Sequence, residues 1–375
     1  MELRLLENLS QVDPAQWDAL CGSAPTLRHA FLQGLEESGA VSSRTGWAPC
    51  HVTLWEGSRL EGAIPAYVKT HSWGEYVFDW AWAEAYQRAG LAYYPKILAA
   101  VPFTPVPGSR ILSHDPASRS ALVLGLETAR QQAGASSIHV LFADDRDGDD
   151  LSQAGFKSRE GLQFHWCNDH YADFDAFLAT FNHDKRKKIK QERRRLHETG
   201  MYFEWKTGEC IRPDDWLFFE ECYRHTYLQH GAHPYLDGRF FRMLGERMAG
   251  QALLIMAMRN GNPVGCALNL IGEDRLHGRY WGAVEYWPGL HFETCYYQSI
   301  EYCIRHGLRF FEGGAQGEHK LARGLLPVRT QSWHKLANSV FSGAVARFLE
   351  KETRGVEHYR NELLEHGPFR KNGQS

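Results

Sequence analysis

The same alternation of apolar and polar positions occurs twice along this chain. Residues 51–68, HVTLWEGSRLEGAIPAYV, and residues 254–271, LIMAMRNGNPVGCALNLI, align without a gap. Each is an apolar run, a polar turn and a second apolar run, and Gly62-Ala63 falls on Gly265-Cys266. Two apolar runs joined by such a turn predict an antiparallel hairpin. A third strand is predicted at a similar distance from each hairpin, at 75–82 (EYVFDWAW) and 279–285 (RYWGAVE). Gly90-Leu91 and Gly289-Leu290 then each open a predicted helix. In the second of these, Phe292, Cys295, Tyr296, Ile300, Cys303 and Ile304 recur at helical spacing, and Gly307 is placed to end it. Apolar runs at 137–142 and 308–311 predict a fourth strand in each half.

Between the halves, residues 173–181 predict a short helix, NHDKRKKIKQERRRLHETG at 182–200 a basic one, and 201–205 a strand. After Ser342 the pattern predicts a long helix with a basic tail. The expected fold class is mixed α/β (α+β): two tandem domains, each with a central mixed sheet flanked by helices. Their expected bounds are 1–170 and 171–341, the second opening with the basic helix 182–200, followed by a C-terminal helix and tail at 342–375. The matching order of elements carries the repeat, because the identity between the halves is low.

Composition narrows the partners. The 375 residues are 43% hydrophobic, enough for two cores. A net charge of −3 gives no whole-molecule attraction to nucleic acid or anionic membrane, and leaves room only for a local one. The local candidate is the basic helix, with eight Lys or Arg from Lys185 to Arg195 against Asp184 and Glu192. It reads either as a solvated amphipathic helix or as a phosphate-gripping face. No aromatics interleave it, so base stacking is not suggested. No run of about 18 apolar residues predicts a membrane span, and the N-terminal stretch lacks the apolar core of a signal peptide. The eight cysteines, without a C-x-x-C pair, read as reduced and mostly buried thiols in a cytoplasmic protein.

Neither a P-loop nor a G-x-S-x-G elbow is present, which argues against a nucleotide triphosphatase or a hydrolase of that class. His225, His230 and His233 sit around a glycine and a proline that break a helix, so they read as a turn and no metal is expected. His165 and Cys167 read as packed strand residues.

The densest candidate chemistry is FEGGAQGEHKLARGLLP, residues 311–327. Gly313, Gly314 and Gly317 allow close backbone approach to a ligand. Glu312 follows two phenylalanines, where burial would raise its pKa and fit it for acid–base work. Equally, it would pair with Arg329 or Lys335. Glu318 or His319 could accept a proton from an attacking amine, and histidine does so near neutral pH with little tuning. Arg323 offers a bidentate contact for phosphate. The bland reading is a glycine-rich turn with its charges in water. Eight aromatic residues gather at the two predicted strand-to-helix corners: Trp80, Trp82, Tyr86, Tyr93, Tyr280, Trp281, Tyr286 and Trp287. Trp281 and Tyr286 are candidates for the floor of an acceptor groove, although such rings more often fill cores or interfaces.

This order of elements resembles a Gcn5-related N-acetyltransferase (GNAT) fold occurring twice, as in the FemABX-type family, and most closely its FemAB-like branch of peptidoglycan biosynthesis or recognition. The likeness rests on TLRHAFLQGLEESGAVSSRTGW at 26–47, on the basic helix leading into a strand, and on the loop at 311–327. The resemblance implies an acyltransferase that moves an acyl or aminoacyl group to an amine acceptor such as a peptidoglycan precursor. No tightly bound cofactor is implied; the co-substrate is acyl-CoA or aminoacyl-tRNA, the tRNA held by helix 185–195. It further implies that the donor enters where two parallel strands part, with its phosphates at the helix opened by Gly289, Leu290 and His291. Lys320 falls on the family's lysine and would grip a phosphate. YWPGLHFE at 286–293 lacks the arginine and the further glycines of coenzyme A users, and Glu293 would repel a pyrophosphate. The alternative is a non-catalytic recognition protein on a degenerate scaffold.

Overall fold

The structure, a computed structural model, describes residues 1–315 and 317–370. The chain divides into two compact units. The first comprises residues 1–161 and 329–358, the second residues 162–328 and 359–375. The C-terminal stretch is therefore shared: it re-enters the first unit at residue 329, and the expected long C-terminal helix forms at Ser339–Glu365.

In the first unit, β1 (Glu2–Leu6) pairs with β3 (His51–Glu56), which forms an antiparallel hairpin with β4 (Arg59–Ile64). A second set of strands runs from β2 (Trp47–Pro49) through β5 (Ala66–Lys69) and β6 (Lys96–Ala99) to β7 (Ser137–Ala143). Only the β6–β7 step is parallel. The helix Pro116–Gln132 packs Leu122, Val123, Leu126 and Ala129 into the core these strands share with Val52, Ile64, Ile97 and Ile138.

Strand β8 (Lys157–Cys167) leads into the second unit. There the order is β8, β13 (Phe310–Glu312), β12 (Arg275–Ala283), β11 (Asn262–Ile271), β10 (Ala252–Arg259) and β9 (Met201–Thr207). The hairpin β10–β11 is antiparallel, and β12–β13 is the parallel step. The last strand, β14 (Leu326–Leu336), returns the chain to the first unit and pairs with β7 through Gln331–Leu336. The helices Phe174–Ala179 and Gln298–His306 cover a core that includes Phe177, Phe181, Ile300, Cys303 and Phe311. Asp173 and Asn182 accept hydrogen bonds from the first turns of the short helix and of the basic helix His183–Glu198, as good N-caps do.

Both predicted hairpins form. Residues 75–82 do not form a strand: Asp79 precedes the helix Trp80–Arg88, and Gly90 follows that helix instead of opening one. The cause is a buried charge cluster. Lys96 Nζ, on β6, lies 2.8 Å from Glu75 and 2.5 Å from Asp79, and this pairing pulls the segment off the strand path. Cys167 is exposed instead of packed, as is Cys210; Cys21, Cys222, Cys266 and Cys303 are buried. Among the described residues, no helix is long and apolar enough to cross a membrane.

Candidate functional site

The parallel strands of the second unit part early. Pairing joins Arg275, Leu276 and His277 to Phe310, Phe311 and Glu312, while β12 runs on to Ala283. A bulge sits just past the fork: Leu268 opposes Tyr280 and Asn269 opposes Gly278, which leaves Arg279 as the extra residue. Bulges bend a strand and end pairing. Gly278 stands at the fork itself, where a Cβ would come within 3.1 Å of the Glu312 carbonyl oxygen.

Glu312 closes the paired end. Its carboxylate receives Arg275 Nη1 at 2.9 Å and His277 Nδ1 at 2.8 Å. Burial would raise its pKa, but the charges and hydrogen bonds of His277 and Arg275 override this and hold it at about 2. Glu312 is thus a fixed anion, paired neither with Arg329, which binds Glu160 at 3.0 Å, nor with Lys335, which donates to the Ala154 carbonyl. The raised pKa expected after two phenylalanines is overturned by partners 35 and 37 residues away in sequence, which only the parallel pairing brings near.

Past Glu312 the chain turns through Gly313 and Gly314 into the short helix Glu318–Arg323. Gly314 has φ +77° and Gly317 φ +123°, conformations that favour glycine. Lys320 is buried, and its ammonium donates to the carbonyls of Gly314 at 3.0 Å and Ala315 at 2.8 Å. Burial lowers its pKa to about 8. Arg323 donates to the His319 carbonyl at 2.7 Å, and its guanidinium carbon lies 3.3 Å from the centre of the Phe292 ring. Both cations therefore brace the loop.

His319 Nε2 meets the Tyr296 hydroxyl at 3.0 Å. Its ring lies 5.9 Å from Phe292 and 6.1 Å from His291, and His291 lies 5.2 Å from Trp281. Burial and the nearby cations lower the pKa of His319, and the same causes, together with His319 itself, take His291 to about 4. Trp281, His291, Tyr296, His319 and Lys320 are thus brought together beside the parted strands. Tyr296 escaped the sequence reading because its core-like spacing hid its polar end.

Other candidates lie elsewhere. Glu318 bonds the Tyr359 hydroxyl and lines a cavity of about 350 Å³ with Lys185, Leu321, Glu362 and His366, on a different contact set from His319. Tyr286 is 90% exposed, so it floors no groove. Trp82, Tyr86 and Tyr93 pack in a core cluster of the first unit. Gly289, at φ +87°, does precede the helical turn Leu290–Phe292, but Leu290 is buried in a core cluster. Glu293 is buried in that first turn and paired with Arg193 of the basic helix at 2.8 Å. Lys185, Lys187, Lys188 and Arg195 of the same helix are exposed. His225 lies within the helix Pro213–Gln229 and not in a turn, with Nδ1 2.7 Å from the Ala283 carbonyl. Among the described residues, no group of three or more His, Cys, Asp or Glu side chains could hold a metal ion.

Strands of mixed direction in each unit, with one helix-linked parallel pair apiece, define a tandem GNAT fold. The structure of FemX superposes with a TM-score of 0.56 at 12% identity, over 92% of this chain and all of that one. The structure of L-PGS from Bacillus licheniformis superposes with a TM-score of 0.51 at 11% identity, over 92% of this chain and 97% of that one. No curated protein matches the chain by sequence. The FemAB-like family, described as peptidoglycan biosynthesis/recognition, matches residues 8–371, and the chain belongs to that family.

Proposed function

We propose that the second unit is an acyltransferase site, in which an amine attacks an activated acyl or aminoacyl ester held where β12 and β13 part. The observation that carries this reading is the end of strand pairing at His277 and Glu312 while β12 continues to Ala283. Backbone N–H groups along such an edge can bind the ester carbonyl oxygen as it becomes negative. The amine nitrogen bonds to the carbonyl carbon and the bond to the leaving oxygen or sulfur breaks. The amine proton passes to His319, and the leaving group takes up a proton. The lowered pKa keeps the His319 imidazole neutral at pH 7. In the tautomer whose Nε2–H donates to Tyr296, Nδ1 carries the lone pair that accepts the proton. Lys320 holds the loop carbonyls and brings a positive charge for a phosphate of donor or acceptor.

The buried Glu293 at the helix opening supports an aminoacyl-tRNA donor over acyl-CoA, because a carboxylate there would repel a pyrophosphate. The exposed lysines and Arg195 of the basic helix would then meet the tRNA backbone. The acceptor in this reading is an amine of a peptidoglycan precursor. The test is incubation with radiolabelled aminoacyl-tRNA or acyl-CoA and amine acceptors, with amide product measured. Transfer should appear with one donor and fall about a hundredfold or more in His319→Ala. Binding by the tRNA route should weaken steeply between 50 and 200 mM salt, the range over which backbone contacts are lost. Failure of every donor to react would leave a recognition protein, a reading favoured by the rings of Trp281, His291 and His319 packing on one another beside the fork.

A further inference from the structure

We infer that the last turns of the helix Pro213–Gln229 stand in for the strand that β12 lacks beyond His277, and that Thr226 and His225 are positioning residues for the transfer proposed above, on which this inference rests. The Val284 N–H donates to the Val264 carbonyl at 3.0 Å. That bond fixes the alternation along the strand: Gly282 and Val284 turn their backbone groups toward β11, Trp281 and Ala283 away from it. The two carbonyls turned away meet the helix. Thr226 Oγ1 donates to the Trp281 carbonyl at 3.0 Å, and His225 Nδ1 lies 2.7 Å from the Ala283 carbonyl.

The contact is close enough to dictate a residue. A Cβ on Gly282 would lie 2.0 Å from the Cys222 carbonyl oxygen of the helix, so only glycine lets the two backbones approach this far. The Thr226 hydroxyl also lies 3.2 Å from that same carbonyl, which pins it between helix and strand.

An edge with unpaired donors and acceptors invites another strand to zip onto it. Here the acceptors are taken. The N–H groups of Trp281 and Ala283 face the same edge as their carbonyls and, among the described residues, remain as donors, held at set angles by the two side-chain bonds. Such an edge selects a ligand group that accepts hydrogen bonds, as the carbonyl oxygen of an ester does. Preorganised donors of this kind accelerate acyl transfer because they need no reorientation as charge develops.

The test uses the full chain as wild type, Thr226→Val and Thr226→Ser. Valine keeps the shape and removes the hydroxyl; serine restores it. With the donor that reacts, Thr226→Val should lower kcat about tenfold, leave the acceptor KM within about twofold and leave the melting midpoint near that of the wild type. Thr226→Ser should recover most of the rate. An unchanged kcat in Thr226→Val, or a loss that serine does not rescue, overturns the assignment. Amide hydrogen exchange followed by NMR on the wild type gives a second arm that needs no substrate. The Trp281 and Ala283 amides should exchange at least about tenfold faster than those of Gly282 and Val284, which pair with β11. Equal protection overturns the inference. If the wild type transfers nothing from either donor, the transferase reading falls, and the exchange contrast alone decides whether the helix holds the edge open.

Discussion

In the first unit the parallel pair runs from Ile97–Ala99 against Ile138–Val140, and just beyond it the chain closes the gap itself. Gly108 bridges Ala143, and its N–H donates to the Phe142 carbonyl at 3.0 Å. In the second unit the parallel pair also spans three residues, but β12 then runs on with a helix edge beside it. Buried polar chemistry follows the same division. The first unit's pairs with itself: Lys96 with Glu75 and Asp79, Tyr93 bonded to Asp79 at 2.6 Å, and His139 2.7 Å from His334. The second unit's lies at the fork and includes histidines with part of their surface in water. One copy of the scaffold has spent its gap on structure, and the other has kept it.

The largest expected effect tests the closed copy. Lys96→Met leaves two buried carboxylates without their cation and should cost about 3–5 kcal/mol in denaturant unfolding, with the first unit unfolding first. Replacing Lys96, Glu75 and Asp79 together with apolar residues of similar volume should recover most of that loss. A single Lys96→Met with no effect would mean that the cluster does not hold the loop.

Gly282→Ala comes next and tests the open copy. The new methyl meets backbone, which cannot give way as a side chain would, so a loss of about 1–3 kcal/mol is expected. Gly90→Ala, at φ +71° but with open space where the methyl would go, should cost less. Thermal denaturation of the two variants compares them directly.

The paired histidines sharpen the contrast through pH. Burial depresses His139 to about 3 and His334 well below its ordinary value. A histidine with a depressed folded pKa contributes stability that is fully present above about 6.5. That contribution is lost as pH falls toward the folded value, because the unfolded chain binds the proton first. Between pH 7 and pH 5 the wild type should therefore lose about 2 kcal/mol more than His139→Gln, read from denaturant midpoints at the two pH values. Equal losses would show that His139 does not stay neutral in the folded chain.

Glu312→Gln carries the smallest effect on chemistry. Glu312 is already an anion far below neutral pH, so the substitution should cost stability without shifting the pH profile of transfer. A moved profile would return Glu312 to an acid–base role.

Local pattern was enough for the hairpins, the helix ended by Gly307 and the basic helix, because each is encoded by periodicity and caps within a few residues. It failed at 75–82, where EYVFDWAW alternates like a strand but Glu75 and Asp79 answer to Lys96, 17 to 21 residues on. It failed again at Glu312, whose environment is set by β12. The loop at 311–327 was legible as a site through its glycines and charges, yet which charges face the fork was not. Glu318 and His319 are neighbours in sequence and reach Tyr359 and Tyr296 respectively. Thr226 carried no signal, and His225 stood out only as one of three histidines near a turn, since their partners are backbone carbonyls more than fifty residues away.

On the proposed reading, ligand enters the second unit and not the first. Hydrogen exchange by mass spectrometry on the full chain, with and without an aminoacyl-tRNA carrying a non-hydrolysable amide linkage or acetyl-CoA, tests it most directly. One of the two probes should slow exchange at 278–283 and 313–323 and leave 97–108 and 138–143 unchanged. Protection confined to the first unit's strands, or none with either probe, would contradict it.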